Sequence, residues 1–507
     1  MSAQSELASS RLTIRQLEAA LKSARSANEN LREQLFGKKS ERVVPGQPPA
    51  LPFDLEEPQP PTPPHVDEAP DDETEHVEAK ARKKRTKRGV RRISEAILAA
   101  RSRSSFLPSS AAARRCQEAL VEIGTERTEI LDYEPASFRV QVLLRKKYAC
   151  PRFEEHGVTT PDLPKRPIPK GMVSPRVIAQ VAVAKYRDHL PLERQVRIYL
   201  GHGVDIAPTT MGDWLASGAE LLAPIVTAHL AHLLESSIVF SDDTSITVIG
   251  PNEKKTQTRR AYLWVYLDPE GNTYLHFTEG RGRAGPLKIL CTYHGTLLTD
   301  AYSGYEPVLS LGLMRSAGCW AHARRRYFKA MEEAPDYAPI AIEIIRRLYA
   351  VEREANDAAL SSEDRLRLRQ QKSKPLLDSF RKWLDELRGC VLPKSALGEA
   401  ISYTVNQWTR LTRFLSDAEV PLDNNAAERA MRQVAVGRKN WMFAGSAAGA
   451  ERAALYYSLI VSCRNLGIDA YEYLSDVLQR MAEDPSRAAE LTPRAWKAAR
   501  AASARRD

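Results

Sequence analysis

Between residues 238 and 278 short apolar and β-rich runs separated by turns predict strands. An apolar run, Ile238–Val239–Phe240, leads into two adjacent carboxylates, Asp242 and Asp243. A β-rich segment follows (Thr244, Ile246, Thr247, Val248) and is closed by Gly250–Pro251. The stretch predicts a strand over Ile238–Val248, with its two acids on opposite faces. A carboxylate on such a strand costs free energy unless a cation or several donors meet it. Read alone, the acid pair is either a solvated strand end or part of a site. Arg259–Leu267, the turn DPEGN and Thr273–Thr278 predict a hairpin, which makes three consecutive antiparallel strands. A helix over Gly285–Tyr293 and a fourth strand, Gly295–Leu298, follow, and this strand ends at Thr299–Asp300. Three strands, a helix and a further strand with an acid at its end predict the start of an RNase H-like α/β core.

Helical periodicity dominates elsewhere. Residues 174–236 predict Pro191–Leu200, the turn GHGVDIAP, and Thr209–Leu222 with Thr209 as N-cap. That outline fits a helix-turn-helix unit or a plain helical subdomain. A basic helix, Cys319–Met331, carries His322, Arg324, Arg325 and Arg326. Residues 332–420 are helical and charged, without catalytic spacing, and read as an insertion. In PLDNNAAERAMRQVAVGRKNWMFAGS (421–446), Asp423, Asn424 or Asn425 can cap a helix with Glu428 in its first turns. Arg438, Lys439 and Trp441 combine charge with an aromatic ring, suited to phosphate contact and base stacking, although core packing accounts equally well for Trp441. Helices Ala448–Leu466 and Ala470–Met481 precede a basic tail.

The N-terminal part is built differently. Leu7, Ile14, Leu21, Asn28 and Leu35 form an a series, with Ser10, Leu17, Ala24 and Leu31 at d. Residues 5–36 thus predict a coiled coil of roughly 45 Å, with Asn28 fixing a two-stranded register. The alternative is a single amphipathic helix packed on the body. A Pro-rich, acidic linker (44–78) and a basic run containing Lys83, Lys84 and Arg85 follow, the latter suited to phosphates rather than bases. Within 95–165, Ile130–Cys150 alternates well enough for two strands, and Cys116 and Cys150 stand where a small zinc ribbon would place ligands.

The expected division is 1–43 coiled coil, 44–94 linker and basic run, 95–165 degenerate zinc-binding-like domain and 166–232 helical DNA-binding domain. The catalytic core follows at 233–331, interrupted by the insertion 332–420, with its final helix at 421–460 and a C-terminal helical segment at 461–507. Across 507 residues the net charge of +10 favours a polyanionic partner, most simply nucleic acid. Six scattered cysteines exclude a disulfide framework and, with a polar N-terminus and no apolar run of spanning length, predict a cytoplasmic protein without membrane attachment.

Phosphodiester cleavage by two divalent ions needs several carboxylates converging on metals about 4 Å apart. Acids on two neighbouring strands and one on a late helix suit that need, and Asp242, Asp300 and Glu428 are the candidates. At these residues the chain closely resembles transposases of the insertion sequence 66 family. The likeness lies in LREQLFGKKSER, KYRDHLPLERQ, FSDDTSITV, LLTDAYSGY, GCWAHARRRYF, the 421–446 stretch and SLIVSCRNLGIDAYEYLSDVLQRM. It implies an RNase H-like fold and a D-D-E triad at Asp242, Asp300 and Glu428 holding two Mg²⁺ ions, with Mn²⁺ as substitute. It also implies cutting and joining of DNA at element ends, a bacterial, nucleoid-associated setting, a dimer or larger assembly on DNA, and accessory proteins of the same element. Asp243 stands where the family usually has glutamate, and His322 and the neighbouring arginines are expected near DNA, with Asn424 supporting. Other readings are a DNA-binding relic without catalysis and an RNase H-like nuclease without strand transfer.

One region departs from the family. Relatives present two Cys-x-x-Cys pairs, whereas here Ala113 and Phe153 replace two of the four cysteines, leaving Cys116 and Cys150. The stretch RRISEAILAARSRSSFLPSSAAARR also lacks the family pattern, so weakened or absent zinc binding is expected.

Overall fold

The computed structural model describes residues 137–149, 158–169, 171–250 and 258–503. The coiled coil, linker, basic run with Lys83, Lys84 and Arg85, and both candidate zinc ligands, Cys116 and Cys150, lie outside them. The described residues form a mixed α/β structure, mostly helical, with one five-stranded mixed sheet and a two-residue pairing of β1 (Tyr148–Ala149) with β2 (Val158–Thr159). The strands expected within 130–150 reduce, among the described residues, to β1. Val140, Val142 and Leu144 alternate in sequence yet stand exposed. Alternation yields a strand only where a partner offers hydrogen bonds and an apolar face.

Three helices come next: α1 (Pro175–Tyr186), α2 (Leu192–Gly201) and α3 (Pro208–Leu233). The helix, turn, helix outline is present, but α3 starts at Pro208 behind an extended Ala207, so Thr209 lies inside the helix rather than capping it. Proline has no N–H to lose at the first helical position and already holds the helical φ. With 26 residues, α3 is long and apolar enough to span a membrane by length and composition, contrary to expectation. Met211, Leu215, Leu222 and Ile225 instead bury it in the core.

The sheet comprises β3 (Ile238–Ile249), β4 (Thr258–Leu267), β5 (Thr273–Thr278), β6 (Thr296–Leu298) and β7 (Arg315–Ala317), in the order β5-β4-β3-β6-β7. The first three are antiparallel, and β6 and β7 run parallel to β3. Asp268 Oδ1 accepts the N–H groups of Gly271 and Asn272, each at 2.9 Å, and closes the β4–β5 turn with Gly271 at φ +100°. Gly295 lets β6 pass close to β3, since a Cβ there would lie 2.5 Å from the Ser237 carbonyl oxygen.

Short helices α4 (Ala284–Leu290) and α5 (Glu306–Leu309) join the later strands, and α6 (Trp320–Lys329) leaves the sheet. A helical block follows: α7 (Ala338–Asp357), α8 (Ser362–Leu368), α9 (Lys374–Arg388), α10 (Ala396–Asn406) and α11 (Trp408–Leu411). The chain returns through α12 (Asn425–Trp441) and ends in α13 (Ala447–Asn465), α14 (Ala470–Glu483) and α15 (Pro493–Ser503). Along the outer edge of β5, helix α13 supplies acceptors where a further strand would sit. Ser458 Oγ takes the Leu275 N–H at 2.8 Å and Ser462 Oγ takes that of Thr273 at 2.9 Å. His229 of α3 joins this ladder, its Nε2 lying 3.1 Å from the Thr273 carbonyl and 3.0 Å from Ser462 Oγ.

A π-helical turn, Arg369–Ser373, joins α8 to α9 and carries the most deeply enclosed cation described. Arg369 is 1 % exposed. Its Nε and Nη2 meet Glu352 of α7 at 2.8 and 2.7 Å, while Nη1 donates to the carbonyls of Phe414 and Asp417 at 2.7 and 2.8 Å, and Nη2 to that of Val420 at 3.2 Å. The guanidinium thereby fixes the loop that leads into α12. Removing it leaves three carbonyls unmet and the largely buried Glu352 carboxylate with Arg365 alone, at 3.1 Å. Arg369→Met is expected to cost about 3–5 kcal/mol in denaturant unfolding. Glu343→Ala, which opens the exposed pair with Arg346, should cost less than about 1 kcal/mol.

Burial pushes the His229 imidazole down to about 4. The unfolded chain, with its histidine near 6.5, therefore takes up a proton before the folded chain does. Stability is complete above 6.5 and is lost as pH falls towards 4, by up to about 3 kcal/mol from this residue. Unfolding midpoints measured across that window should fall more steeply in the wild type than in His229→Gln, which keeps a donor without the titration.

Candidate functional site

The candidate site lies where β3, β6 and the start of α12 meet. Asp242, mid-strand in β3 and paired in register with Val265, keeps one carboxylate oxygen on its neighbour's N–H, Asp243 N to Asp242 Oδ1 at 2.8 Å. Burial pushes the Asp242 carboxyl up to about 7, and the negative charges of Asp300, Asp243 and Glu428 push the same way. Asp243 has a different environment. Arg281, in the loop after β5, grips both of its oxygens at 2.9–3.0 Å and lies over the Tyr302 ring with its Cζ 3.9 Å from the centroid. Tyr302 returns its hydroxyl to the Arg281 carbonyl at 2.6 Å. The alternation expected of the strand is thus realised: Asp243 is paired with an arginine, while Asp242 shares a neighbourhood with Asp300 and Glu428.

Asp300 stands two residues past β6. Ala301 adopts a left-handed φ of +68°, and the resulting turn brings the Tyr302 N–H onto Asp300 Oδ1 at 3.1 Å. Tyr403 of α10 donates to the Asp300 carbonyl at 3.2 Å. Glu428 lies in the first turn of α12, with Oε1 3.5 Å from Arg325 Nη2 and 3.7 Å from His322 Nε2. Burial lowers the His322 pKa against the opposing pull of Asp300 and Glu428.

Two residues seat α12. Asp423, one residue ahead of the N-cap Asn424, takes the Asn425 N–H at 3.0 Å and the Tyr349 hydroxyl at 2.8 Å. Asn424 does not cap with its side chain. Fully buried, it donates from Nδ2 to the Ser241 carbonyl at 2.8 Å, directly beside Asp242, and its backbone N–H meets Cys319 Sγ at 3.2 Å. One amide therefore fixes the helix bearing Glu428 against the strand bearing Asp242.

The other expected contacts are distributed unevenly. His322, Arg325, Arg326 and Lys329 line a cleft of about 260 Å³ whose far wall is Ala396 and Glu399 of α10. Arg326 also stacks on Tyr403, 4.2 Å from its ring centre. Arg324 is half-buried on the same helix. Arg438 is committed to β3, donating to Thr244 Oγ1 at 2.9 Å and to the Ser245 carbonyl. Trp441 is half-buried with its indole Nε1 enclosed, and Lys439 is exposed. Sequence reasoning missed Arg281, Tyr302, Lys329 and Tyr403. The arginines of the EGRGR turn were the one available signal, and only the hairpin's geometry brings that turn to Asp243.

Among the described residues, no three His, Cys, Asp or Glu side chains already converge closely enough to grip an ion. The donor chemistry of Asp242, Asp300 and Glu428 nevertheless suits a hard divalent cation: all are carboxylates, one is buried, and their charges oppose one another.

The comparisons with known proteins agree with this region. A profile described as "Transposase IS66 family" matches residues 170–452, which include all three carboxylates. A second, "zinc-finger binding domain of transposase IS66", matches 114–152 and so includes Cys116 and Cys150, and a third, "Transposase C of IS166 homeodomain", matches 17–96. Three proteins of Sinorhizobium fredii (strain NBRC 101917 / NGR234) are similar along most of their length. Uncharacterized protein y4hP is 34 % identical over 411 residues, covering 76 % of this chain and 73 % of that protein. Uncharacterized protein y4jD is 34 % identical over 409 residues (77 % and 79 %), and uncharacterized protein y4qI is 34 % identical over 380 (72 % and 69 %).

Neutralising one of the crowded acids should relax the metal-free protein. Asp242→Asn is expected to raise its stability by about 0.5–2 kcal/mol. It should also shrink the upward shift in melting temperature that Mn²⁺ or Mg²⁺ produces in the wild type. A scanning-fluorimetry titration with each cation and with EDTA reads both effects.

Proposed function

Because the chain belongs to the IS66 transposase family, we propose that it cuts and joins DNA with Asp242, Asp300 and Glu428 as a D-D-E triad on an RNase H-like core. What supports this reading is that Asp300, past the end of β6, and Glu428, on α12, lie near enough to Asp242 to push its carboxyl up, with Asn424 tying helix to strand beside Asp242. The strand order β5-β4-β3-β6-β7, antiparallel then parallel, supports the same core.

Mg²⁺, held by Asp242, Asp300 and Glu428, would supply charge neutralisation at the phosphate and a lowered pKa for the attacking oxygen. The chain's own residues do the positioning. Asn424 and the Tyr302 N–H hold two of the acids in place. Arg281 neutralises Asp243, so that this acid neither repels the phosphate nor competes for cations. Arg325 and His322 keep Glu428 oriented, and Arg326 and Lys329 in the adjoining cleft offer positive charge to the strand leaving the site.

In the first step, water attacks phosphorus, the bond to the 3′ oxygen breaks, and a 3′-hydroxyl and a 5′-phosphate result. In the second, that hydroxyl attacks a target phosphodiester, the target's own 3′ oxygen leaves with the proton, and the strands are joined. Holding both groups in line provides most of the rate, since little proton transfer is involved.

The test is a cleavage and strand-transfer assay on DNA carrying the element's ends. Asp242→Asn, Asp300→Asn and Glu428→Gln should each lose at least about 10²–10³-fold in both steps while still binding DNA. Equal activity in any of them would exclude the triad. Cleavage without joining would indicate a nuclease, and binding without either step a DNA-binding relic.

A further inference from the structure

The chain leaves α12 through an uncommon turn. Met442 has φ +54° and ψ −41°, and Phe443 N–H closes on the Trp441 carbonyl at 2.6 Å, two residues back. This is a γ-turn with positive φ at a non-glycine residue, a conformation that costs of the order of 1–3 kcal/mol and survives only where its surroundings enforce it. The enforcing contacts are visible. Met442 N–H bonds the Arg438 carbonyl at 2.9 Å, and Ala444 bridges Val248 through Ala444 N to Thr247 O (2.8 Å) and Ile249 N to Ala444 O (3.0 Å). The turn is thereby fastened at one end to the helix of Glu428 and at the other to the strand of Asp242.

The strained turn directs apolar side chains outward. Met442 is 68 % exposed and Phe443 42 % exposed, whereas the neighbouring Trp441 is half-buried. A flexible chain could turn these groups inward at little cost, and here the pinned backbone prevents it. Lys439 stands exposed one turn earlier on α12, and Arg260, paired with Thr247 across β3–β4, is exposed as well. Apolar tips on a rigid mount beside cations suit a polyanion whose interior is apolar, which is the description of stacked bases behind phosphates.

We infer that Met442 and Phe443 form a wedge that enters the base stack of bound DNA, with Lys439 on the adjacent phosphate. This rests on the reading of the chain as a DNA-processing transposase and adds to it a base-contacting element fixed to two of the three acid-bearing elements. Met442 stands 14 residues along α12 from Glu428, about 20 Å at 1.5 Å per residue, so the wedge holds the duplex at a distance from the acids and fixes its register on the protein.

The experiment uses the full chain and a DNA duplex with a frayed A·T end carrying 2-aminopurine, whose fluorescence rises on unstacking. The wild type should bind in a salt-dependent manner and raise the fluorescence. Phe443→Ala and Met442→Gly should abolish the rise at saturating protein and weaken binding about tenfold, and Phe443→Trp should keep the rise. Met442→Gly also relieves the strained turn, so its melting temperature should equal or exceed the wild type's, separating loss of the wedge from loss of the fold. Binding by the wild type without a rise, or an undiminished rise in both Phe443→Ala and Met442→Gly, overturns the wedge and leaves the transposase reading standing. No binding at all by the wild type overturns both.

Discussion

Like charges held close together are the constraint around which this protein is arranged. Asp242 alone would be a poorly placed strand residue. With Asp300 and Glu428 beside it, folding must oppose repulsion as well as desolvation. The surrounding groups reduce or bear that load in different ways. Arg281 offsets part of the charge of the fourth acid, Asp243, and Arg325 and His322 approach Glu428 at 3.5 and 3.7 Å. Asn424 contributes no charge. It supplies a buried amide donor to Ser241, the residue before Asp242, tying helix to strand without satisfying the acids themselves. The charges of Asp300 and Glu428 still press on Asp242.

The helical block between β7 and α12 belongs to this arrangement. Its Arg369 secures the loop before Asp423, its Tyr349 bonds Asp423, its Tyr403 bonds the Asp300 carbonyl, and Glu399 closes the cleft beside His322. A helical block that touches both Asp300 and the approach to Glu428 acts as their scaffold. The magnitudes separate its ion pairs by burial. Glu343 with Arg346 and Lys372 with Glu354 are wet and worth little, whereas Arg369 with Glu352 is enclosed and expensive to break.

Much of the sheet was legible in the sequence. The β3–β5 meander follows from alternation and the DPEGN turn, and the α12–α14 run from helical periodicity, with ends displaced by a residue or two. What was not legible depended on partners distant in sequence. β7 has three residues and an exposed arginine, so no pattern marks it, and only pairing with β6 makes it a strand. Val140–Leu144 shows the reverse, a pattern without a partner. Arg438 and Trp441 share a composition with nucleic-acid contacts, yet a serine carbonyl on β3 claims the first and packing claims much of the second. The acids at Asp242, Asp300 and Glu428 could be named because the family motifs fix their positions, whereas Arg281 needed the hairpin to be folded first.

The serine ladder along β5 has a consequence for biosynthesis. Ser458 and Ser462 reach the strand from 183 and 189 residues further along the chain. Until the ribosome has delivered α13, the outer edge of the sheet presents unmet amide groups to any neighbouring strand. A polypeptide ended early, by a nonsense codon or a broken message, therefore carries an adhesive edge and is directed towards aggregation and proteolysis rather than towards a partly competent product. Helix α13 serves as a completion mark, received only by chains that extend past Ser462.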